Sequence, residues 1–215
     1  MEEKKYLRKI NVSENDINEI LESIEDQKLK EATRAFFLVK LDKYIKWMDN
    51  IDKLIVEEEK NPEDLWNEFN RYSLNIIKEG DKVTSQIKNR LITSRIKDKF
   101  RVLVGYWVYQ GKLMERGYIK PRGYPGDYKI LEGMYDNLPW TKEGIGYLWD
   151  KFFINVDYVK SVRKRKDALK KILKKFLKDR VNTEVSVMNL GSGSGREVRE
   201  LFSRRSQYKT QIKYS

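Results

Sequence analysis

The sequence predicts a mostly α protein: an N-terminal helical bundle followed by the start of an α/β domain. Three observations predict it. Apolar residues recur at helical spacing over nearly the first two-thirds of the chain. Glycine and proline then cluster between Arg116 and Asn137, where a helix cannot run unbroken. Finally "VSVMNLGSGSGREVRELF", Val185 to Phe202, reads as a short buried strand, a glycine turn and the first turns of a helix. Rossmann-like cofactor domains begin in this way. The expected division is residues 1–115 as the bundle, 116–180 as a loop with connecting helices, and 181–215 as the first strand, turn and helix of an incomplete Rossmann-like unit.

The elements of the bundle follow in order. "SENDINEILESIEDQ" offers Ser13 as N-cap and Asp16 at the capping-box position, with Ile17, Ile20, Leu21 and Ile24 on one face. "KEATRAFFLVKLDKYIKWMDNIDKLIVEEE" predicts one long amphipathic helix that buries Ala35, Phe36, Val39, Ile45, Met48 and Ile51. Asn61 and Pro62 mark the start of a third helix, and Gly80 its expected end. A fourth is expected from about Lys82 to Met114, burying Val83, Ile87, Leu91, Phe100, Leu103, Val104 and Trp107. Short connections between four helices imply a bundle.

Composition narrows the chemistry. A chain of 215 residues that is 40% hydrophobic can bury a sizeable core. With 36% charged residues, no apolar run long enough to span a membrane and no signal-like N-terminus, a soluble cytoplasmic protein is expected. There is no cysteine and no histidine. Disulfides, thiolate nucleophiles, cysteine-ligated metals and the commonest general base are thereby excluded. No metal site is expected, and Glu57, Glu58 and Glu59 read as a solvated helix end. Trp47, Trp66, Trp107, Tyr44 and Tyr72 lie among apolar residues at helical spacing and read as core.

The net charge of +12 concentrates in "KSVRKRKDALKKILKKFLKDR", Lys160 to Arg180, an amphipathic helix with lysines around its apolar face. A solvated surface helix is the plain reading. An anionic partner or a membrane surface are the alternatives, and nucleic acid is not the expected partner.

In "RGYIKPRGYPGDYKILEGMYDN", Pro125-Gly126 suits a type II turn and Asp127 the cap of a following helix. Those roles leave Arg122, Tyr124 and Tyr128 unexplained. Loops of this kind are where sites are built.

"KPRGYPGDYKILEGMY", "VRKRKDALKKIL" and "VMNLGSGSGREVRELF", in this order, resemble the bacterial class I S-adenosylmethionine-dependent methyltransferase family that includes the quorum-signal methyltransferase acting on 3-hydroxypalmitic acid. The resemblance covers roughly Ile96 to Phe202, and the helices before it match only in kind. It implies S-adenosylmethionine as cofactor and methyl transfer to a small substrate, with a carboxylate as one candidate acceptor. It assigns Gly191, Gly193, Gly195, Tyr124 and Asp127 to cofactor binding, and Arg122 and Tyr128 to the substrate. No catalytic residue is assigned.

The glycine motif also has a reading of its own. Gly191, Gly193 and Gly195 permit a tight turn and close approach of a ligand to backbone. The G-x-G-x-G spacing favours an adenosylmethionine type of site over a nicotinamide one, which prefers G-x-G-x-x-G. Asn189, just before the turn, carries little weight. An acid that holds the ribose is expected about 20 residues past the glycines, and that count reaches Ser215. The expectation is therefore a chain that ends inside its catalytic domain, without turnover and with affinity for the cofactor no better than about millimolar. A catalytically inactive helical interaction module and an anion- or nucleic-acid-binding helical protein are the rival classes. The methyl acceptor and the oligomeric state are open.

Overall fold

A computed structural model describes residues 12–15, 17–123, 126–178, 180, 185–186, 188, 193–202 and 212–213. It divides into two compact units, one of residues 1–115 with 140–152 and one of residues 116–139 with 153–215.

The first unit is helical. α1 (Asn18–Glu22) is short, because Ser23 Oγ bonds back to the Ile20 carbonyl and Asp26 then caps the next helix by accepting from Leu29 N. Ile17 is the residue that flanks α1, so the helix begins later than the expected Ser13 cap, and Asp16 lies outside the described residues. The four predicted apolar residues are nevertheless all buried.

α2 (Gln27–Ala35), a π-helical segment (Phe36–Leu41) and α3 (Asp42–Val56) follow without a break. The sequence suggested a plain α-helix here, and the π segment corrects it. Its wider turn shifts the helical phase, so Phe36, Phe37, Leu41 and Tyr44 point inward while Ala35 and Val39 face solvent. Tyr44 and Ser73 hydroxyls satisfy each other inside the core at 2.8 Å.

α4 (Pro62–Thr84) starts where predicted, with Asn61 Oδ1 accepting from Glu63 N at 3.0 Å. It runs past Gly80, which is no helix end. A Cβ at Gly80 would lie 3.1 Å from Phe36 Cζ, so this glycine makes room for a ring. α5 (Arg90–Val108) restarts at the Asn89 cap, and the expected continuous helix from Lys82 is broken there. The restart sets a new phase: Ile92 and Ile96 are buried and Leu91 is exposed, while Leu103, Val104 and Trp107 are buried as predicted.

Residues 140–152 complete this unit. Phe69 meets Trp149 edge-on with centroids 5.2 Å apart; of the aromatics expected in the core, Tyr44 and Trp107 are buried, Trp47 and Trp66 are half-buried, and Tyr72, on which Trp47 stacks at 4.7 Å, is exposed. α6 (Lys112–Ile119) and α8 (Gly144–Asn155) have Gly111 and Gly146 near their starts.

The second unit is built on α7 (Tyr128–Asp136), α9 (Asp157–Lys178) and α10 (Arg196–Leu201). Ile130 and Met134 of α7 pack on Val159 and Val162 of α9. Leu177 of α9 packs on Leu201 of α10. β1 (Val185–Ser186) and β2 (Ile212–Lys213) pair in parallel, Val185 opposite Ile212. Among the described residues no strand precedes β1. The protein is thus mostly helical. Two paired residues per strand do not make a Rossmann-like sheet. The strand expected to reach Leu190 is described only at Val185–Ser186, with Met188 outside it and 79% exposed.

Candidate functional site

Both segments singled out by the sequence fall in the second unit. Asp127 ends the loop and caps α7, its Oδ1 accepting from Lys129 N and Ile130 N at 3.0 Å each. Its side chain is fully buried. Arg116 grips it from α6 with both arms of its guanidinium, Nε to Oδ1 at 3.1 Å and Nη2 to Oδ2. The Arg116 hydrogen bond holds this carboxyl below its ordinary range although burial pushes the other way. A bidentate pair of this kind is rigid, so the loop is clasped at its two ends. Sequence reasoning saw the Asp127 cap but missed Arg116, because no local pattern relates residues eleven apart across a loop.

Arg122 and Tyr128 come together on the loop. The Arg122 guanidinium lies 4.4 Å from the centre of the Tyr128 ring, and its Nη2 donates to the Tyr128 hydroxyl at 3.4 Å. Arg122 is exposed and pairs with no carboxylate among the described residues. Lys120, at φ 50, and Gly123, at φ 82, turn the chain between Arg116 and Asp127. Tyr124 and Pro125 lie outside the described residues, and the suggested type II turn goes with them.

The glycine turn is described at Gly193–Ser194–Gly195; Gly191 and Asn189 lie outside the described residues. Gly193 and Gly195 are both left-handed, φ 56 and 57. A Cβ on Gly193 would lie 3.0 Å from Leu131 Cδ1, so the turn packs on α7, the helix that carries the loop. A Cβ on Gly195 would meet nothing within 4 Å. Between them Ser194 Oγ is buried and has no hydrogen-bond partner among the described residues. Such an orphaned hydroxyl calls for an explanation. Open backbone at Gly195 beside an unused hydroxyl fits the polar part of a nucleoside cofactor, which needs close approach to backbone and one or two donors.

Charge fixes the turn in place. Arg196 bonds Glu200 at 2.8 Å and Glu132 at 3.3 Å and also pairs with Asp136, while Arg199 donates to both Glu132 oxygens at 2.8 and 2.9 Å. On the other side Glu200 accepts from Lys166 at 3.2 Å and from Lys170. Burial pushes the Glu200 carboxyl up, but Lys170, Arg196 and Lys166 together pull it down to about 2. An acid with a lowered folded pKa stabilises the fold above its unfolded value, near 4.5, and the benefit fades as pH falls towards about 2. Glu200→Gln is therefore expected to lower the melting temperature at neutral pH, with the gap to wild type closing between about pH 4.5 and 2. A gap that stays constant across that range sinks the assignment.

Among the described residues no group of acids is arranged to hold a metal, and no helix is long and apolar enough to cross a membrane.

Comparison with known families adds one finding. A family model described as "Putative methyltransferase" matches residues 122–215, a stretch that begins at Arg122 and contains both the loop and the glycine turn. No curated protein and no solved structure matches the chain.

Proposed function

We propose that residues 122–215 form part of an S-adenosylmethionine-dependent methyltransferase acting, in the cytoplasm, on a small substrate that bears a carboxylate. The observation that supports this reading is that the methyltransferase family model takes in the R-G-Y-P-G-D loop and the glycine turn together. The cofactor, when bound, supplies an electrophilic methyl group. Everything else falls to the chain. Gly191, Gly193 and Gly195 let the ligand reach backbone, and the Ser194 hydroxyl gives it a donor. Tyr124 and Tyr128 cover the site and exclude water. Arg122, which pairs with no carboxylate among the described residues, offers its fork of donors to the substrate's anionic group. Asp127 serves the cofactor by holding the loop that carries these residues, since its own oxygens are occupied by Arg116 and by the start of α7. A methyl transfer of this type needs alignment more than acid–base chemistry, which suits a chain without histidine or cysteine.

The test is a titration of isotopically labelled protein with S-adenosylmethionine, followed by amide chemical shifts so that weak binding is seen. Signals of residues 193–197 and of the loop are expected to move, and Gly195→Val to abolish the response. The new side chain enters open space but must adopt a left-handed backbone, a strain of about 1–3 kcal/mol. Shifts scattered over the helices of the first unit, or a Gly195→Val response equal to wild type, sink the reading.

A further inference from the structure

α9 divides into three faces. One packs on α7 and α10 through Val159, Val162 and Leu177. The second carries Lys164, Lys171, Lys174, Lys175 and Lys178, all exposed and none with a hydrogen-bond or ion-pair partner among the described residues. At about 100° per residue these five fall within an arc of roughly 100°, and at 1.5 Å per residue they run along about 21 Å. The only acid between Lys164 and Lys178 is Asp167, which pairs with Lys166 at 3.5 Å. The third face, on the other flank of the solvent side, bears Leu169, Ile172 and Phe176, exposed by 40%, 65% and 40%.

The Arg180 guanidinium, 3.7 Å from the centre of the Phe176 ring, lies over one end of this apolar face, and Leu169 and Ile172 are exposed beside the lysine row. We propose that the solvent side of α9, its second and third faces together, docks on an anionic lipid bilayer, with Ile172 and Phe176 entering the acyl boundary and the lysine side chains reaching round to phospholipid headgroups. Charge decides the kind of surface. Five unpaired cations along one line require a continuous sheet of negative charge, and each basic residue near such a surface strengthens binding by about fivefold. A nucleic-acid backbone would match the lysines but gains nothing from Ile172 and Phe176. A neutral apolar partner would match those two and gain nothing from the lysines. Only an interface that is anionic outside and apolar inside uses both. The inference is independent of methyl transfer, and its test needs neither cofactor nor turnover.

The 215-residue chain is sedimented with vesicles of phosphatidylcholine alone and with about 30% phosphatidylserine, at about 0.1 M salt. Retention is expected on the anionic vesicles only. Replacing the five lysines by glutamine is expected to weaken it on the order of a thousandfold, and replacing them by arginine to preserve it. Ile172→Gln with Phe176→Gln is expected to cost about tenfold or more at constant charge. Because all seven side chains are exposed, circular dichroism should show the fold intact in each variant. Equal retention on neutral vesicles, or no retention on either, overturns the proposal. So does duplex DNA bound as tightly as the vesicles with the Ile172 and Phe176 changes without effect, an outcome that assigns the face to nucleic acid instead.

Discussion

Gly146→Ala is expected to be among the most damaging single substitutions in the first unit, lowering stability by about 2 kcal/mol or more. Gly146 lies inside α8, where alanine is the better helix former by about 1 kcal/mol. Propensity alone therefore predicts a gain. Space predicts the reverse: a Cβ there would lie 2.4 Å from the Gln110 carbonyl oxygen, 2.7 Å from its carbon and 3.0 Å from Thr141 Cγ2. The first two are backbone atoms, which cannot swing aside as a side-chain tip can. The overpacking term therefore wins. Gly144, two residues earlier, makes the comparison: it is left-handed at φ 66, but a Cβ there meets nothing within 4 Å. Gly144→Ala should cost only the backbone strain, about 1 kcal/mol. Urea denaturation of both variants measures the difference, and equal midpoints for wild type and Gly146→Ala would show that the helices can separate at no cost.

The second large effect is expected at Asp150, which is fully buried in the same region. One oxygen accepts from Leu113 N at 2.9 Å; the other accepts from Trp140 N at 3.1 Å, Thr141 N at 2.8 Å and Thr141 Oγ1 at 2.9 Å. Thr141 Oγ1 in turn accepts from Lys112 N at 2.9 Å. Three backbone N–H groups from two chain segments thus depend on one carboxylate. Asp150→Ala leaves them buried without an acceptor, and about 3–5 kcal/mol of stability should go with it. Burial pushes the Asp150 carboxyl above its ordinary pKa even though its donors favour the charged form. A neutral group is therefore less foreign here than its bonding suggests, and Asp150→Asn should cost less than Asp150→Ala because one acceptor oxygen survives. Denaturation midpoints in the order wild type, Asn, Ala are the expected result. An alanine variant as stable as the asparagine one would show that water takes over these bonds.

How much of this was legible in the sequence differs by element. Helix starts were read unevenly: Asn61 with Pro62 fixed the start of α4 and Asp127 the start of α7, whereas Ser13 proved to be no cap and the caps at Asp26 and Asn89 were missed. Helix phase was read less well. The π segment at Phe36–Leu41 leaves no sequence signature, yet it decides that Phe37 is buried and Val39 exposed. The restart at Asn89 similarly exchanged Leu91 for Ile92 in the core. At Gly80 a glycine that makes room for a neighbouring ring was taken for a helix end.

At the candidate site, the residue types came from the sequence and their partners from the fold. The R-G-Y-P-G-D loop and the glycine turn were visible because glycine, proline and aspartate act through their own backbone. The sequence by itself determined the helical class, the excluded chemistries, the cationic α9 and the two motifs, all of which follow from composition and from interactions within a few residues. Only the tertiary structure decided that Arg116 clasps Asp127, that Gly193 rests on Leu131, and, among the described residues, that Ser194 keeps an unused hydroxyl and which lysines of α9 remain unpaired. Each of those depends on which distant side chain arrives at hydrogen-bond or van der Waals distance, and packing between helices sets that separation where local propensity cannot.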